Sequence, residues 1–202
     1  MLLALLAAAA GLGMAPQSTN PGMWLRAPEY ARDGLGRLDT PGVRIEMTVD
    51  ENGDPVSCNI IASSGTKALD DIFCLVPMRR AHFKPARDEN GQPITSVFST
   101  NFYSRFDQHS HGPAWTDYTL TVSKLPAIPH PVTVVRIVTD AAGHVESCTL
   151  ETPSGADQLD RLACSYTRSN VVLAAPLERN GRAVRALRLT SIGFAAGGAR
   201  GE

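Results

Sequence analysis

The four cysteines of this chain form two frames of equal size. Cys58 and Cys74 enclose "CNIIASSGTKALDDIFC", and Cys148 and Cys164 enclose "CTLETPSGADQLDRLAC". Each frame contains a Ser-Gly turn and a Leu-Asp pair at the same places. The same cysteine frame therefore occurs twice in the chain.

The likeness extends beyond the cysteine frames. When the sequence is shifted by 90 residues, 43–104 align with 133–194 without a gap, and twelve of these 62 positions are identical. The identical residues are mostly cysteines, turn glycines and the Leu-Asp pair. Ungapped register over this length predicts a tandem duplication of one structural unit.

Each unit shows the pattern strand, hairpin, strand, helix, loop, strand. "VRIEMTVD" alternates strictly, which predicts a half-buried strand with Val43, Ile45, Met47 and Val49 on its buried face. Asn-Gly in "DENGDP" predicts a hairpin to the strand "VSCNIIA". "TKALDDIFCLV" has helical spacing, and we expect Pro77 to end or kink that helix. The predicted fold class is therefore α+β, with two units that each pack one helix on a small antiparallel sheet.

The cysteines lie on the second strand and on the helix of each unit. A helix packed on its sheet brings such a pair within disulfide range. Of the three possible connectivities, the repeated frame favours Cys58–Cys74 with Cys148–Cys164. Buried free thiols remain an alternative. Metal binding is disfavoured because no C-x-x-C pair occurs, and nucleophilic catalysis because neither frame contains a histidine.

The apolar N-terminus "MLLALLAAAAGLGMA" is too short to cross a bilayer, which needs about 20 residues. It predicts a signal peptide at 1–15, with a short membrane anchor as the alternative. The remaining divisions are expected to be a linker or N-terminal extension at 16–40, the first unit at 41–107, a linker at 108–129, the second unit at 130–195 and a flexible tail at 196–202.

Charge and motifs exclude several function classes. The net charge is −1 without a run of like charges, which predicts no nucleic-acid partner. The sequence has no hydrolase, zinc-protease, P-loop or EF-hand motif, so we predict no enzyme, no cofactor, no metal and no small-molecule substrate. Trp24 and Trp115 are interpreted as packing anchors. Asp70 is expected to favour the positive end of its helix.

The segment from "GVRIEMTVD" to "FYSRF" resembles the C-terminal domain of TonB-family energy transducers. The resemblance lies in a strand that ends in Asp-x-x-Gly, a Ser-Ser-Gly turn, Leu-Asp at the helix start, and Phe-Lys-Pro-Ala before an Asn-Gly turn. The residues that carry it are Asp50, Gly53, Gly65, Leu69, Asp70, Phe83, Pro85 and Gly91.

This resemblance implies a non-catalytic periplasmic protein of a Gram-negative bacterium, with inner-membrane anchoring as the alternative. Its partners would be peptides of TonB-dependent outer-membrane transporters, added as a strand to an open sheet edge. Membrane contact would occur only through an uncleaved N-terminus. The implied receiving edge is the third strand of the first unit, with residues Ile94, Ser96, Val97, Phe98, Ser99, Thr100, Asn101, Phe102 and Tyr103.

A second hypothesis is a disulfide-stapled envelope protein, structural or adaptor in role, that has lost transporter binding. A free third strand in the first unit favours the transport hypothesis. An edge covered by the second unit favours the structural one.

Overall fold

The computed structural model describes residues 13–21, 24, 43–102 and 116–197 of the chain. Its helices and strands follow the predicted order in both units. Up to the end of the first unit they are β1 (Gln17–Ser18), β2 (Val43–Val49), β3 (Pro55–Ala62), α1 (Lys67–Arg80), β4 (Phe83–Lys84), β5 (Ala86–Arg87), β6 (Pro93–Ile94) and β7 (Ser96–Phe102). They continue with β8 (Tyr118–Val122), β9 (Val132–Thr139), β10 (Val145–Thr152), α2 (Asp157–Asn170) and β11 (Ala186–Ala196).

The long strands of both units belong to one seven-stranded sheet, where we expected two separate antiparallel sheets. The spatial order is β10-β9-β11-β7-β2-β3, and β8 pairs with β11. The two units meet where β11 pairs in parallel with Ser96 and Val97 of β7. The physical reason is that each third strand carries unpaired backbone groups along one edge, and pairing these edges satisfies part of both.

The two helices lie on opposite faces of this sheet. Ser96 and Phe98 share the face that α1 covers, because Phe98 packs against the core beneath α1. Leu187 of β11 pairs with Ser96 and so lies on the same face as Ser96. Its neighbour Arg188 pairs with Ile137, which packs beneath α2. Since successive strand residues point to opposite faces, α1 and α2 must cover opposite faces.

Both predicted cysteine pairs are disulfides, and they join equivalent elements. Cys58 on β3 bonds to Cys74 on α1, with their Cα atoms 5.7 Å apart. Cys148 on β10 bonds to Cys164 on α2, with a Cα separation of 5.6 Å. Each bond fixes its helix to the second strand of its own unit. The duplication itself stays a prediction drawn from the sequence.

Helix α1 continues past Pro77 to Arg80, so the proline does not end the helix, which was one of the two outcomes we expected. Pro77 lies one turn after Phe73 on the buried stripe of the helix, so its ring adds to the core. Its carbonyl accepts the Ala81 N–H at 2.7 Å and closes the last turn. The helix loses only the bond that the missing proline N–H would have made.

Segments predicted as linkers also contribute strands. Within 16–40, β1 pairs with β4. Met14, in the predicted signal segment, forms a bridge with Arg87. Within 108–129, β8 pairs with β11, and β11 itself includes Ala196, the first residue of the predicted tail. Most of the predicted signal segment lies outside the described residues, as do Tyr103 and Trp115. In the described part of the chain, no helix is both long and apolar enough to cross a membrane.

Candidate peptide-binding cleft

Strand β7 has a complete partner on one side and a partial one on the other. It pairs antiparallel with β2 from Ser96 to Phe102. On the other side, β11 pairs only with Ser96 and Val97, and the Leu187 N–H donates to the Thr95 carbonyl at 2.9 Å. Beyond Val97, no described strand forms a ladder with this outer edge of β7.

The partial pairing arises because β8 takes over the same edge of β11. The Ser191 carbonyl accepts the Asp117 N–H at 2.7 Å, and the Gly197 N–H donates to the Val122 carbonyl at 2.8 Å. Leu187, Ser191 and Gly197 are separated by even numbers of residues, so their backbone groups point to one side of β11. β7 and β8 cannot both pair with the same residues on one edge of β11. Because β8 pairs with the later residues of β11, β7 diverges from β11 after Val97.

A cleft of about 240 Å³ opens where β7 and β11 separate. One wall is formed by residues 97–101 of β7, and the opposite wall by Leu189 and Ser191 of β11. The remaining lining residues are Ala15, Pro16, Arg44, Asp117 and Val134. The cleft is thus a gap in the sheet, bounded by strands of both units.

Backbone groups of β7 point into this gap. The Thr95 carbonyl bonds to β11, so the N–H and C=O groups of residues an even number away point to the same side. Ser99 and Asn101 are such residues, and both line the cleft. They present the donors and acceptors that a further strand would need.

The side chains of β7 hold the strand in place from the helix side. Phe102 stacks on Phe73 of α1 with ring centroids 4.7 Å apart. Phe98 packs edge-on against Trp24 at 5.7 Å, which confirms the interpretation of Trp24 as a packing anchor. On the opposite face, the Ser99 hydroxyl donates to Glu46 at 3.2 Å. The edge is therefore part of a rigid, packed strand.

An ion pair crosses the cleft and connects β2 of the first unit to the segment that leads into β8. Arg44 of β2 is 6% exposed, and its guanidinium lies 2.5 Å from the Asp117 carboxylate. The other carboxylate oxygen of Asp117 accepts the Ser191 N–H at 2.6 Å. Asp117 is therefore fixed to β11 while it holds Arg44. We call the Arg44–Asp117 pair the clasp.

A second arginine is buried on the same face. Arg188 donates to the Ala174 carbonyl at 2.9 Å. Burial lowers the pKa of the Arg188 guanidinium, although the carboxylates of Glu46 and Asp117 act to raise it. The two arginines and two carboxylates form a charge-balanced cluster beside the cleft.

The structure changes the predicted binding edge in several places. The continuous strand expected over 94–103 is interrupted at Thr95, which separates β6 from β7. Ile94 is buried and pairs with Ala86. Ser96 is already paired by β11, as is Val97. The residues that both line the cleft and lack a ladder to β11 are 98–101.

The residues that carry the family resemblance build the unit and do not line the cleft. The Asp50 carboxylate accepts the N–H groups of Asn52 and Asp54 within the hairpin. Gly53, Gly65 and Gly91 all have positive φ. The other members of the set, which shape the core and the turns around it, are Leu69, Asp70, Phe83 and Pro85.

Sequence reasoning missed Arg44 and Asp117. We expected Arg44 on the polar, exposed face of a half-buried strand, and Thr48 with it, but both are buried. The reason is that β2 is an interior strand of the shared sheet and that Asp117 covers the arginine. Asp117 lay in a predicted linker, where a single acidic residue gives no signal of a partner.

The first unit is a small α+β domain in which the packed strand β7 lies beside an open gap in the sheet. Residues 40–103, from just before β2 to just after β7, match the family model of the Gram-negative bacterial TonB protein C-terminal. The match supports a TonB C-terminal domain in this part of the chain. This class of domain is non-enzymatic and acts with protein partners in outer-membrane transport. No curated protein and no solved structure matches the chain.

Proposed function

We propose that this protein is a non-catalytic periplasmic binding protein of TonB-dependent outer-membrane transport. It takes up an extended transporter peptide as an added strand on β7. The observation that carries this proposal is the pair Ser99 and Asn101, whose backbone groups point into the cleft beyond the end of the β11 ladder. An extended peptide there gains a ladder of main-chain hydrogen bonds.

The predicted setting suits such a role. An apolar N-terminus indicates export, and two disulfides persist in an oxidising compartment such as the periplasm. An anchor in the inner membrane that faces the periplasm is the alternative location. The domain family that matches residues 40–103 is one of Gram-negative bacteria, which supports a location in the cell envelope.

The affinity of the added strand should be modest. Each backbone hydrogen bond contributes about 0.5–1.5 kcal/mol net, and only Ser99 and Asn101 present groups on this edge. Pockets for alternate side chains of the peptide would add specificity. The binding experiment should therefore extend to millimolar peptide.

One observation favours a second candidate function. β11 already occupies the start of the edge at Ser96 and Val97, and the clasp bridges the gap beyond. A protein with these contacts can serve as a stapled envelope adaptor whose second unit replaces the transporter peptide. In that case the edge of β7 takes no further strand.

The test is a titration of the nitrogen-15-labelled, full-length protein with peptides from the periplasmic ends of outer-membrane transporters. We expect amide shifts centred on Ser99 and Asn101. Shifts confined to the outer strands β3 and β10, or an unperturbed spectrum at millimolar peptide, would contradict the transport proposal and favour the adaptor.

A proline variant sharpens this test. Ser99→Pro removes an N–H that points into the cleft and leaves the ladder to β2 intact, so we expect it to abolish the shifts. Thr121→Pro is the matched control, because the Thr121 N–H points away from β11 on the exposed edge of β8. This inference follows from the Val122 carbonyl, which bonds to Gly197. Thr121→Pro should bind peptide as the parent protein does.

A further inference from the structure

The contacts between the two units are few and small at the cleft. The β7–β11 ladder covers only two residues of β7. A small apolar cluster joins Ala86 and Ile94 of the first unit to Val138 and Leu187 of the second. An ion pair links Arg185 to Asp88 at 3.6 Å. Of the two ion pairs, the Arg44–Asp117 clasp has the shorter distance, 2.5 Å.

The closed arrangement also leaves buried polar atoms without hydrogen bonds. Six buried side-chain nitrogen or oxygen atoms in the described structure have no partner, and four of them lie at this junction. These four belong to Arg44, Ser96, Asn101 and Arg188. An unsatisfied buried group costs free energy that water would restore if the junction opened. The junction is thus less stable than its burial alone suggests.

Each unit keeps its own support when the junction opens. The core beneath α1 and the core beneath α2 are separate clusters, and each unit has its own disulfide. β7 retains its full ladder to β2, and β11 retains its ladder to β9 from Ala186 to Gly193. Opening therefore breaks the β7–β11 ladder, the small apolar cluster and the ion pairs between the units, while the core, the disulfide and the main ladders of each unit stay intact.

We propose that the second unit is an intramolecular cover for the peptide-binding edge of β7, held closed by the Arg44–Asp117 clasp. This inference rests on the proposed function and adds its regulation. In the closed state a peptide reaches only Ser99 and Asn101. When the clasp breaks and β11 separates from Ser96 and Val97, the free edge of β7 extends back to the start of the strand. A longer segment of the peptide can then pair with β7.

Asp117→Asn tests the cover directly. The amide keeps the size of the side chain and removes its charge, so the buried Arg44 loses its counterion and the closed state is weakened. We expect affinity for the transporter peptides to rise at least about fivefold. The amide shifts should extend to Val97. Glu151→Gln is the matched control, because it removes a carboxylate paired with Arg136 across β9 and β10, away from the cleft.

A second measurement needs no variant. The Leu187 N–H donates to the Thr95 carbonyl, so its hydrogen exchange reports the junction. Saturation with peptide should speed exchange at Leu187 and leave Ile137, inside the second unit, protected.

The outcomes separate the two ideas. Peptide binding with unchanged affinity in Asp117→Asn and a protected Leu187 would overturn the cover while the proposed function stands. Binding only by Asp117→Asn would support the cover and, because the parent protein then takes up no peptide, contradict the proposed function of the closed protein. Absence of binding by either protein would remove the proposed function and this inference with it.

Discussion

Asp70 and Asp160 hold the same turn in their two units. The Asp70 carboxylate accepts hydrogen bonds from the Ser63 and Ser64 hydroxyls and from the Ser64 N–H. Burial acts to raise the pKa of Asp70, but these hydrogen bonds outweigh it and hold that pKa below its ordinary value. The same balance, with Thr133 and Ser154 as donors, lowers the pKa of Asp160. In the first helical turn, each carboxylate also lies near the positive end of its helix.

The lowered pKa of Asp70 makes a pH prediction. The ionised carboxylate stabilises the fold above the unfolded pKa, and this stabilisation is lost as pH falls through the lower, folded pKa. Asp70→Asn should therefore lower the free energy of unfolding by about 1–3 kcal/mol at pH 7. The difference from the parent protein should shrink below about pH 4, as measured by urea unfolding across pH.

Asp71→Asn is the control at the neighbouring position. Asp71 forms an exposed ion pair with Lys67, so its replacement should cost less than about 1 kcal/mol. Equal losses in the two variants would show that the turn contacts of Asp70 contribute nothing beyond an ordinary surface charge.

At the scale of elements, the hairpin between β2 and β3 supports the strand that follows α1. The Gly53 carbonyl accepts the Phe83 N–H at 3.2 Å, and Gly53 has φ of 89°. A Cβ at Gly53 would overlap the Phe83 carbonyl oxygen. The second unit repeats this contact between Gly143 and Leu173. A glycine is thus required for both its conformation and its close approach.

Two alanine variants separate these requirements. Gly65→Ala adds a Cβ into open space at a positive φ of 85°, and should cost only the backbone strain of about 1–2 kcal/mol. Gly53→Ala adds the same strain and also displaces β4, so its loss in the free energy of unfolding should be clearly larger. Chemical denaturation of both variants checks this, and similar losses would contradict the close-approach argument.

The elements were predictable to the extent that their signals are local. Alternation in "VRIEMTVD" and the Asn-Gly turns located β2, β3 and the hairpin between them. The length of α1 was misjudged because Pro77 lies on the buried stripe, where its packing offsets the lost bond. The strand β8 was missed because five residues of a mixed linker carry no periodicity until a partner such as β11 is known.

At the scale of the whole molecule, the sequence predicted two units but not how they join. The pattern of β7 shows that it is a strand, yet nothing in it specifies which strand completes its edge. Edge pairing depends on geometry between distant segments, here Val97 and Arg188. The cleft and its clasp were unpredictable for the same reason.

The small junction predicts that the units unfold separately. Removal of the second disulfide by Cys148→Ala with Cys164→Ala should destabilise the second unit by about 2–4 kcal/mol. Native-state hydrogen exchange should then show earlier opening of Ile137, whereas Ile45 and Met47 in the first core stay protected. Simultaneous loss of protection in both units would instead mean that the shared sheet unfolds as one body.

The position of Trp24 bears on where the first domain begins when the chain is dissected into fragments. Its indole is 2% exposed, packs on Phe83 and Phe98, and donates to the Asn20 side chain. A fragment that starts at residue 40, where the family match starts, lacks this ring and carries a vacant space in its core. The shortest autonomous piece of the first half therefore starts upstream of the matched segment, at a boundary that includes Gln17 and the β1 strand.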